Sequence, residues 1–261
     1  VTLGGTGTNH GVATAMVCQQ LGLKSTVITF NQPDSAFVKK NQSLMKYFGA
    51  KVINAGPIAL AALRFYLNPR RMHKDYYFLP GGGAVPVATL SYINAAFELK
   101  RQIDNQQCPE PVEIYLPVGS ASTLAGLTLG CALAGMKTKV IGIQVLDSHM
   151  GPIETCTESV VKKLMTQALE MLPQEYPQAL KGLPNVILRT DYFAPGYGVL
   201  TPATTKAIAK GKALGLTLDQ TYSGKAFDAY CQAIKTSTKP ILYWATYNSC
   251  PVPDDLAETR L

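Results

Sequence analysis

Short β-rich runs that break at glycine-rich turns and give way to helical patterns recur along this chain. That alternation constrains the fold more than any other feature. Val1–Leu3 runs into Gly4-Gly5 and then into a helical stretch from about His10 to Leu21, stopped by Gly22. Ser25–Phe30 predicts a second strand, and Asp34 predicts the cap of a helix reaching Phe48, with Phe37, Leu44, Met45 and Phe48 on one face. Further strands are predicted at Lys51–Ile53, Tyr76–Leu79, Val112–Pro117, Lys139–Val145, Val186–Arg189 and Ile241–Trp244. Helices are predicted at Val87–Asp104, from Thr123 to about Gly135, at Ile153–Leu172, onward from the cap Thr201-Pro202, and at Gly224–Ile234. Strand, turn and helix in repetition make an α/β protein with a mostly parallel sheet. A division at Pro80-Gly81-Gly82-Gly83 predicts two lobes, a smaller one over 1–85 and a larger one over 86–261, with a cleft between them.

Composition removes several classes. Hydrophobic residues at 47% and charged residues at 16% supply a core and exclude a disordered chain. No apolar run approaches the ~18 residues of a spanning helix. The net charge of +7 is scattered, and its densest patch, Arg64, Arg70, Arg71, His73 and Lys74, reads as a solvated face rather than a nucleic-acid site. Neither nucleic acid nor membrane is an expected partner. The six cysteines, at 18, 108, 131, 156, 231 and 250, include no C-x-x-C pair and none at zinc spacing from a histidine. They read as reduced, mostly buried thiols of a cytoplasmic chain that holds no metal. Val1-Thr2-Leu3 looks like the middle of a buried strand, which raises the expectation of residues upstream.

In parallel sheets ligands gather at the carboxyl ends of strands, so the turns carry the chemistry. The first, Gly4-Gly5-Thr6-Gly7-Thr8-Asn9-His10-Gly11, offers close backbone approach, free N–H groups at a helix start and side-chain donors for an anion. A dinucleotide reading needs an acidic residue after the second strand, where Asn31-Gln32 stands instead. A plain structural turn is the other alternative. The second, Gly119-Ser120-Ala121-Ser122-Thr123, puts small residues and three hydroxyls at a helix N-terminus, a cup for a phosphate dianion or an ordinary capped helix start. The third group, Gly196-Tyr197-Gly198 and Tyr222-Ser223-Gly224-Lys225, presents two phenols that either face a ligand or pack.

Taken in order, these segments resemble the pyridoxal-phosphate-dependent fold type II family that contains D-cysteine desulfhydrase and 1-aminocyclopropane-1-carboxylate deaminase. The likeness rests on Gly4-Gly5 with Thr8-Asn9-His10, Pro80-Gly81-Gly82, Val118-Gly119-Ser120 through Thr123 with Ala125-Gly126, Gly196-Tyr197-Gly198, and Tyr222-Ser223-Gly224-Lys225. It implies a two-lobed α/β fold of the tryptophan synthase β kind, with mostly parallel sheets and flanking helices, and pyridoxal 5'-phosphate as cofactor. By resemblance, Gly119, Ser120, Ala121, Ser122 and Thr123 would hold the cofactor phosphate, Asn9 would lie against the pyridine ring, and Ser223 would meet its nitrogen, with Thr246 nearby. Thr8, Asn9 and His10 would hold the substrate carboxylate across the gap from the cup. Tyr197 and Tyr222 would face the substrate and move or orient protons, so Thr8, Tyr197 and Tyr222 are the candidate catalytic residues.

The resemblance also has departures. Ala245-Thr246-Tyr247-Asn248 stands where the family has His-Thr-Gly-Gly, and Thr8 replaces a serine. The family's Schiff-base lysine lies upstream of the first turn, and no lysine of this sequence occupies the matching place; Lys225 belongs to a different motif. The residues are therefore expected to be inactive by themselves, either as part of a longer chain or as a remnant that lost the lysine. Ser223, a hydroxyl where the cyclopropane-opening deaminases have Glu, points to α,β-elimination from a small amino acid such as D-cysteine, giving ammonia and a 2-oxo acid. Two other readings stand beside this: a non-catalytic module binding pyridoxal phosphate, another phosphate or an amino acid, and a nicotinamide-dependent oxidoreductase. A small amino-acid substrate and a homodimer are the partners the family likeness implies.

Overall fold

The structure is a computed structural model that describes residues 1–150, 153–193 and 195–248. It divides into two compact units, Val1–Gly83 and Ala84–Tyr247, each described here by itself.

The first unit alternates β1 (Thr2–Gly5), α1 (Asn9–Gln20), β2 (Thr26–Phe30), α2 (Ala36–Tyr47), β3 (Lys51–Asn54) and α3 (Ile58–Tyr66). The strands pair in parallel in the order β1-β2-β3, with Gly5 opposite Phe30 and Val27 opposite Val52. A parallel sheet covered by helices needs strands that are apolar on both faces, and Leu3, Val27, Ile28 and Phe30 are all buried. The buried stripe of α2 is Val38, Asn41, Leu44 and Met45, at helical spacing, so Phe37 and Phe48 flank the face rather than form it. Its cap is Ser35, whose Oγ accepts from Val38 N–H, and not Asp34.

One further prediction for this unit is corrected. Tyr76–Leu79 joins no ladder: Val1 N–H to Tyr77 O, Leu79 N–H to Val1 O and the Thr2 hydroxyl to Leu79 O tie it to the chain start. The residues of the basic patch are exposed, as expected, and two of its arginines also lie against rings. The Arg71 guanidinium lies over the rings of Phe65, Tyr66 and Phe78 at 5.2, 5.7 and 4.8 Å, and Arg70 lies over Tyr76 at 5.4 Å.

The second unit runs α4 (Pro86–Asp104), β4 (Glu113–Val118), α5 (Ser122–Leu133), β5 (Lys139–Gln144), β6 (His149–Met150), β7 (Ile153–Glu154), α6 (Glu158–Leu169), α7 (Glu175–Ala179), β8 (Ile187–Arg189), α8 (Pro202–Ala213), α9 (Ser223–Ala233) and β9 (Ile241–Tyr243). Its main sheet is parallel, in the order β8-β5-β4-β9. Pro117 lies past the last β4–β9 pair, Tyr115 opposite Tyr243, so its missing N–H interrupts no bond on that side. Helix α5 is buried almost all round, as an apolar helix without a polar face must be. The expected helix at Ile153–Leu172 starts later. Ile153–Glu154 pairs antiparallel with His149–Met150, and Thr157 Oγ1 accepts from Val160 N–H to begin α6.

The expected α/β class with parallel sheets and flanking helices is borne out. No helix among the described residues is long and apolar enough to cross a membrane. Cys18, Cys108, Cys131, Cys156 and Cys231 are unpaired; Cys250 lies outside the described residues. Burial pushes the Cys131 and Cys156 thiols up to about 12, which keeps them protonated.

Candidate functional site

In the first unit the turn after β1 is built around Thr8. Its side chain is buried, and Oγ1 caps α1 by accepting from Gly11 N–H at 3.1 Å. Glycine is required on both sides of it: a Cβ at Gly4 would lie 2.5 Å from Thr8 Oγ1, and one at Gly11 would lie 2.4 Å from Thr8 Cγ2. Asn9 Oδ1 accepts from Asn41 Nδ2 at 2.9 Å, and the same Asn41 group donates to Gly7 O at 2.8 Å. This fixes the Asn9 carboxamide with its own amino group turned away as a donor. Gln32, which stands where a dinucleotide site needs an acid, instead accepts from Gly7 N–H at 2.9 Å.

The His10 ring is turned back against β1. Thr2 Oγ1 donates to Leu79 O at 3.0 Å, so toward His10 Nε2, at 2.8 Å, it can only accept. The imidazole is therefore neutral with its proton on Nε2, and burial pulls its pKa down to about 4. Nδ1 is left as an acceptor, which a carboxylate cannot use. What this turn offers an anion is the N–H groups of the first turn of α1, together with the Thr8 hydroxyl and the Asn9 amide.

In the second unit the loop Gly119–Thr123 leads from β4 into α5. The N-cap position is Ala121, in a left-handed conformation at φ 70°, and no side chain caps the helix. Ser122 is buried, and its Oγ has no hydrogen-bond partner. Buried hydroxyls are nearly always satisfied, so an orphan at an uncapped helix start marks a place for an acceptor. The loop faces Tyr222, since a Cβ on Gly119 would stand 3.6 Å from Tyr222 Cε1. The Tyr222 hydroxyl in turn makes a short hydrogen bond to the Tyr197 hydroxyl, with the rings edge to face at 5.8 Å. Burial is the main reason that both phenols are held above their ordinary range. They share a proton-bearing contact at neutral pH and neither ionises there.

Asp219 organises the start of α9, a role the sequence reading did not assign. Its carboxylate accepts from the N–H groups of Thr221, Tyr222 and Ser223 at 2.9, 2.7 and 3.1 Å, and from the Ser223 hydroxyl at 2.5 Å. Ser223 Oγ also accepts from Asp219 N–H at 2.6 Å. Ser223 is fully buried with its proton committed to Asp219, so one lone pair remains for another group. The Tyr243 hydroxyl donates to Ser223 O at 3.0 Å. Lys225 is buried with its Nζ on main-chain carbonyls. Thr246 is exposed beyond β9. Structure thus brings together Gly119–Thr123, Tyr197, Tyr222 and Ser223 in the second unit, and Thr8, Asn9 and His10 in the first.

Comparison with known proteins gives this geometry a context. Residues 1–244 match the family described as "Pyridoxal-phosphate dependent enzyme". The chain is 26% identical over 272 residues to nocardicin C-9' epimerase of Nocardia uniformis subsp. tsuyamanensis, covering 98% of this chain and 80% of that protein. It is 29% identical over 262 residues to D-cysteine desulfhydrase of Klebsiella pneumoniae subsp. pneumoniae, covering 93% and 74%. Among solved structures, that of an ACC deaminase homologue superposes with a TM-score of 0.73 at 26% identity, covering 93% of this chain and 71% of the other.

Proposed function

This chain belongs to the pyridoxal-phosphate-dependent enzyme family, and from that premise we propose that it acts on a small amino acid carrying a leaving group on Cβ, releasing ammonia and a 2-oxo acid as D-cysteine desulfhydrases do. The single observation that carries the reading is the orphaned Ser122 hydroxyl at the uncapped start of α5. It fits a phosphate dianion, which would also take the N–H groups of Gly119–Thr123 and the positive end of the helix dipole. When bound, pyridoxal phosphate supplies an electron sink for the substrate α-carbon.

The protein's own groups do the rest in this proposal. Gly119, Ser120, Ala121, Ser122 and Thr123 anchor the phosphate. Asn9, its amide oriented by Asn41, donates to the ring's oxygen substituent. Ser223 offers the ring nitrogen a single neutral lone pair, because its proton and its other lone pair are taken by Asp219. A neutral lone pair holds a proton on that nitrogen less firmly than a directly bound carboxylate, which favours expulsion of a good leaving group over ring opening. The substrate carboxylate is assigned to Thr8, Asn9 and the first-turn N–H groups beside His10. Tyr197 and Tyr222, neutral and hydrogen-bonded to each other, orient the substrate, and a proton passed to it by one leaves that oxygen as a phenolate held by the hydroxyl of the other.

The test gives D-cysteine and β-chloro-D-alanine to purified protein that carries a Schiff-base lysine upstream of the first turn and is loaded with pyridoxal phosphate, and follows pyruvate, with sulfide or chloride. Pyruvate with equimolar leaving group supports the reading. Inversion at Cα without elimination, ring opening of the cyclopropane amino acid instead, or tight binding without turnover of any of these would overturn it. A cytoplasmic location, in keeping with the unpaired cysteines among the described residues, and a homodimer, checked by light scattering, complete the proposal.

A further inference from the structure

We propose that Lys225 is a positioning residue: its side-chain amine ties down the turn that carries Tyr197 and so sets where the Tyr197 hydroxyl meets Tyr222. The inference rests on the reading of Tyr197 and Tyr222 as proton-holding groups, and it deepens that reading.

Lys225 is 1% exposed, one of the largest fully buried side chains in the protein. Its Nζ donates to Gly196 O at 2.8 Å and Phe193 O at 3.0 Å, and lies 5.5 Å from the centroid of the Phe193 ring. Among the described residues it forms no ion pair, and lysine is almost never fully buried unless paired. Here two main-chain carbonyls and a ring face take the place of a carboxylate. Burial lowers the group to about 8, so at neutral pH it is still mostly protonated, and even the neutral amine keeps two N–H donors for the two carbonyls.

The carbonyls it holds are informative. Gly196 O belongs to the peptide unit that joins Gly196 to Tyr197, so fixing that plane fixes the direction in which the Tyr197 side chain leaves the backbone. The flanking glycines have φ of 152° at Gly196 and 70° at Gly198, where the backbone has little intrinsic preference. A turn of this kind holds a phenol in one place only if something outside it restrains the backbone. Two of its restraints come from the start of α9: Tyr222, its N-cap, meets the Tyr197 hydroxyl, and Lys225, one turn on, holds the main chain behind it, while Gln220 Nε2 donates to Gly198 O at 3.2 Å.

The experiment measures amide hydrogen exchange across the full chain in the unaltered protein and in Lys225→Met, Lys225→Leu and Lys225→Arg. Methionine keeps the apolar stem without donors, and leucine is the second donor-free variant should methionine fail to fold. Exchange in segment 191–200 should rise about tenfold or more in Lys225→Met, with the rest of α9 little changed, and should fall back towards normal in Lys225→Arg. Unchanged exchange there, or a rise spread evenly over the second unit, would overturn the proposal. A double-mutant cycle with Tyr197→Phe, scored on kcat and KM for D-cysteine, adds a readout that a merely structural role would not produce. Lys225→Met should lower kcat more than it raises KM, and should cost little further in the Tyr197→Phe background. Additive losses would overturn it. If the unaltered protein with its upstream Schiff-base lysine does not turn over D-cysteine, the functional reading has failed, while the exchange data still decide the tether.

Discussion

Replacing Ser122 with alanine should strengthen the free protein and weaken its hold on the cofactor. The Ser122 hydroxyl is buried and has no partner, and an unsatisfied buried polar group costs about 1–3 kcal/mol. Alanine removes that cost and is the better helix former by about half a kcal/mol. Loss of a few van der Waals contacts offsets part of the gain, leaving about 1–2 kcal/mol. For a chain of this size that corresponds to a rise in Tm of about 2–6 °C. With a dianion in the cup the sign reverses, since a hydrogen bond to a charged group contributes about 1.5–3 kcal/mol. The Kd for pyridoxal phosphate should then weaken about 10- to 150-fold. Pyridoxal, which lacks the phosphate, should bind both proteins alike. Thermal unfolding of the cofactor-free protein and a fluorescence titration with both ligands make the assay. A destabilised free protein, or an unchanged Kd for pyridoxal phosphate, would refute the claim that this hydroxyl is kept for a ligand.

Other expectations follow from the same contacts. The His10 pKa falls from 6.5 unfolded to about 4 folded, so between those values the unfolded chain binds more protons and stability is lost as pH falls from about 6.5 towards 4. The loss should reach about 2–3 kcal/mol in urea midpoints, and it should be absent in His10→Gln. Gly11→Ala, whose Cβ would strike Thr8 at 2.4 Å, should destabilise by about 1–3 kcal/mol through overpacking and disturb the Thr8 cap; a thermal midpoint equal to that of the unaltered protein would count against the packing argument. Asp219→Ala strips the acceptor from three N–H groups and the Ser223 hydroxyl and should cost about 3 kcal/mol or more, since buried donors are left unpaired. Denaturant titration checks it, and a loss under 1 kcal/mol would mean that solvent already serves those donors.

Much of the fold was legible because it was written in local signals. Gly22 and Gly49 do follow the helices they were expected to stop, and Thr201-Pro202 does cap α8. The misreadings came where tertiary context decides. Tyr76–Leu79 has the composition of a strand but finds no neighbouring strand to pair with, and residues 58–66 follow Pro57 with no capping side chain to announce helix α3. The site was legible as motifs and not as contacts. Asp219 had a recoverable signal, because an aspartate two to four residues ahead of a helix commonly accepts the first N–H groups. Lys225 had none, since nothing in a sequence says that a helix lysine faces inward onto carbonyls. Thr8 and His10 share one turn, yet the structure spends the His10 ring on β1 and leaves the hydroxyl of Thr8 with a proton still to give.

The central claim is that the Gly119–Thr123 cup holds the cofactor phosphate as a dianion. Phosphorus-31 NMR of the protein loaded with pyridoxal phosphate addresses it directly. The account predicts a resonance that stays at its dianionic position from about pH 5.5 to 8, because donors at the helix start hold the charged form, and that moves in Ser122→Ala. A resonance that titrates like a free phosphate ester near pH 6 and ignores Ser122 would contradict it.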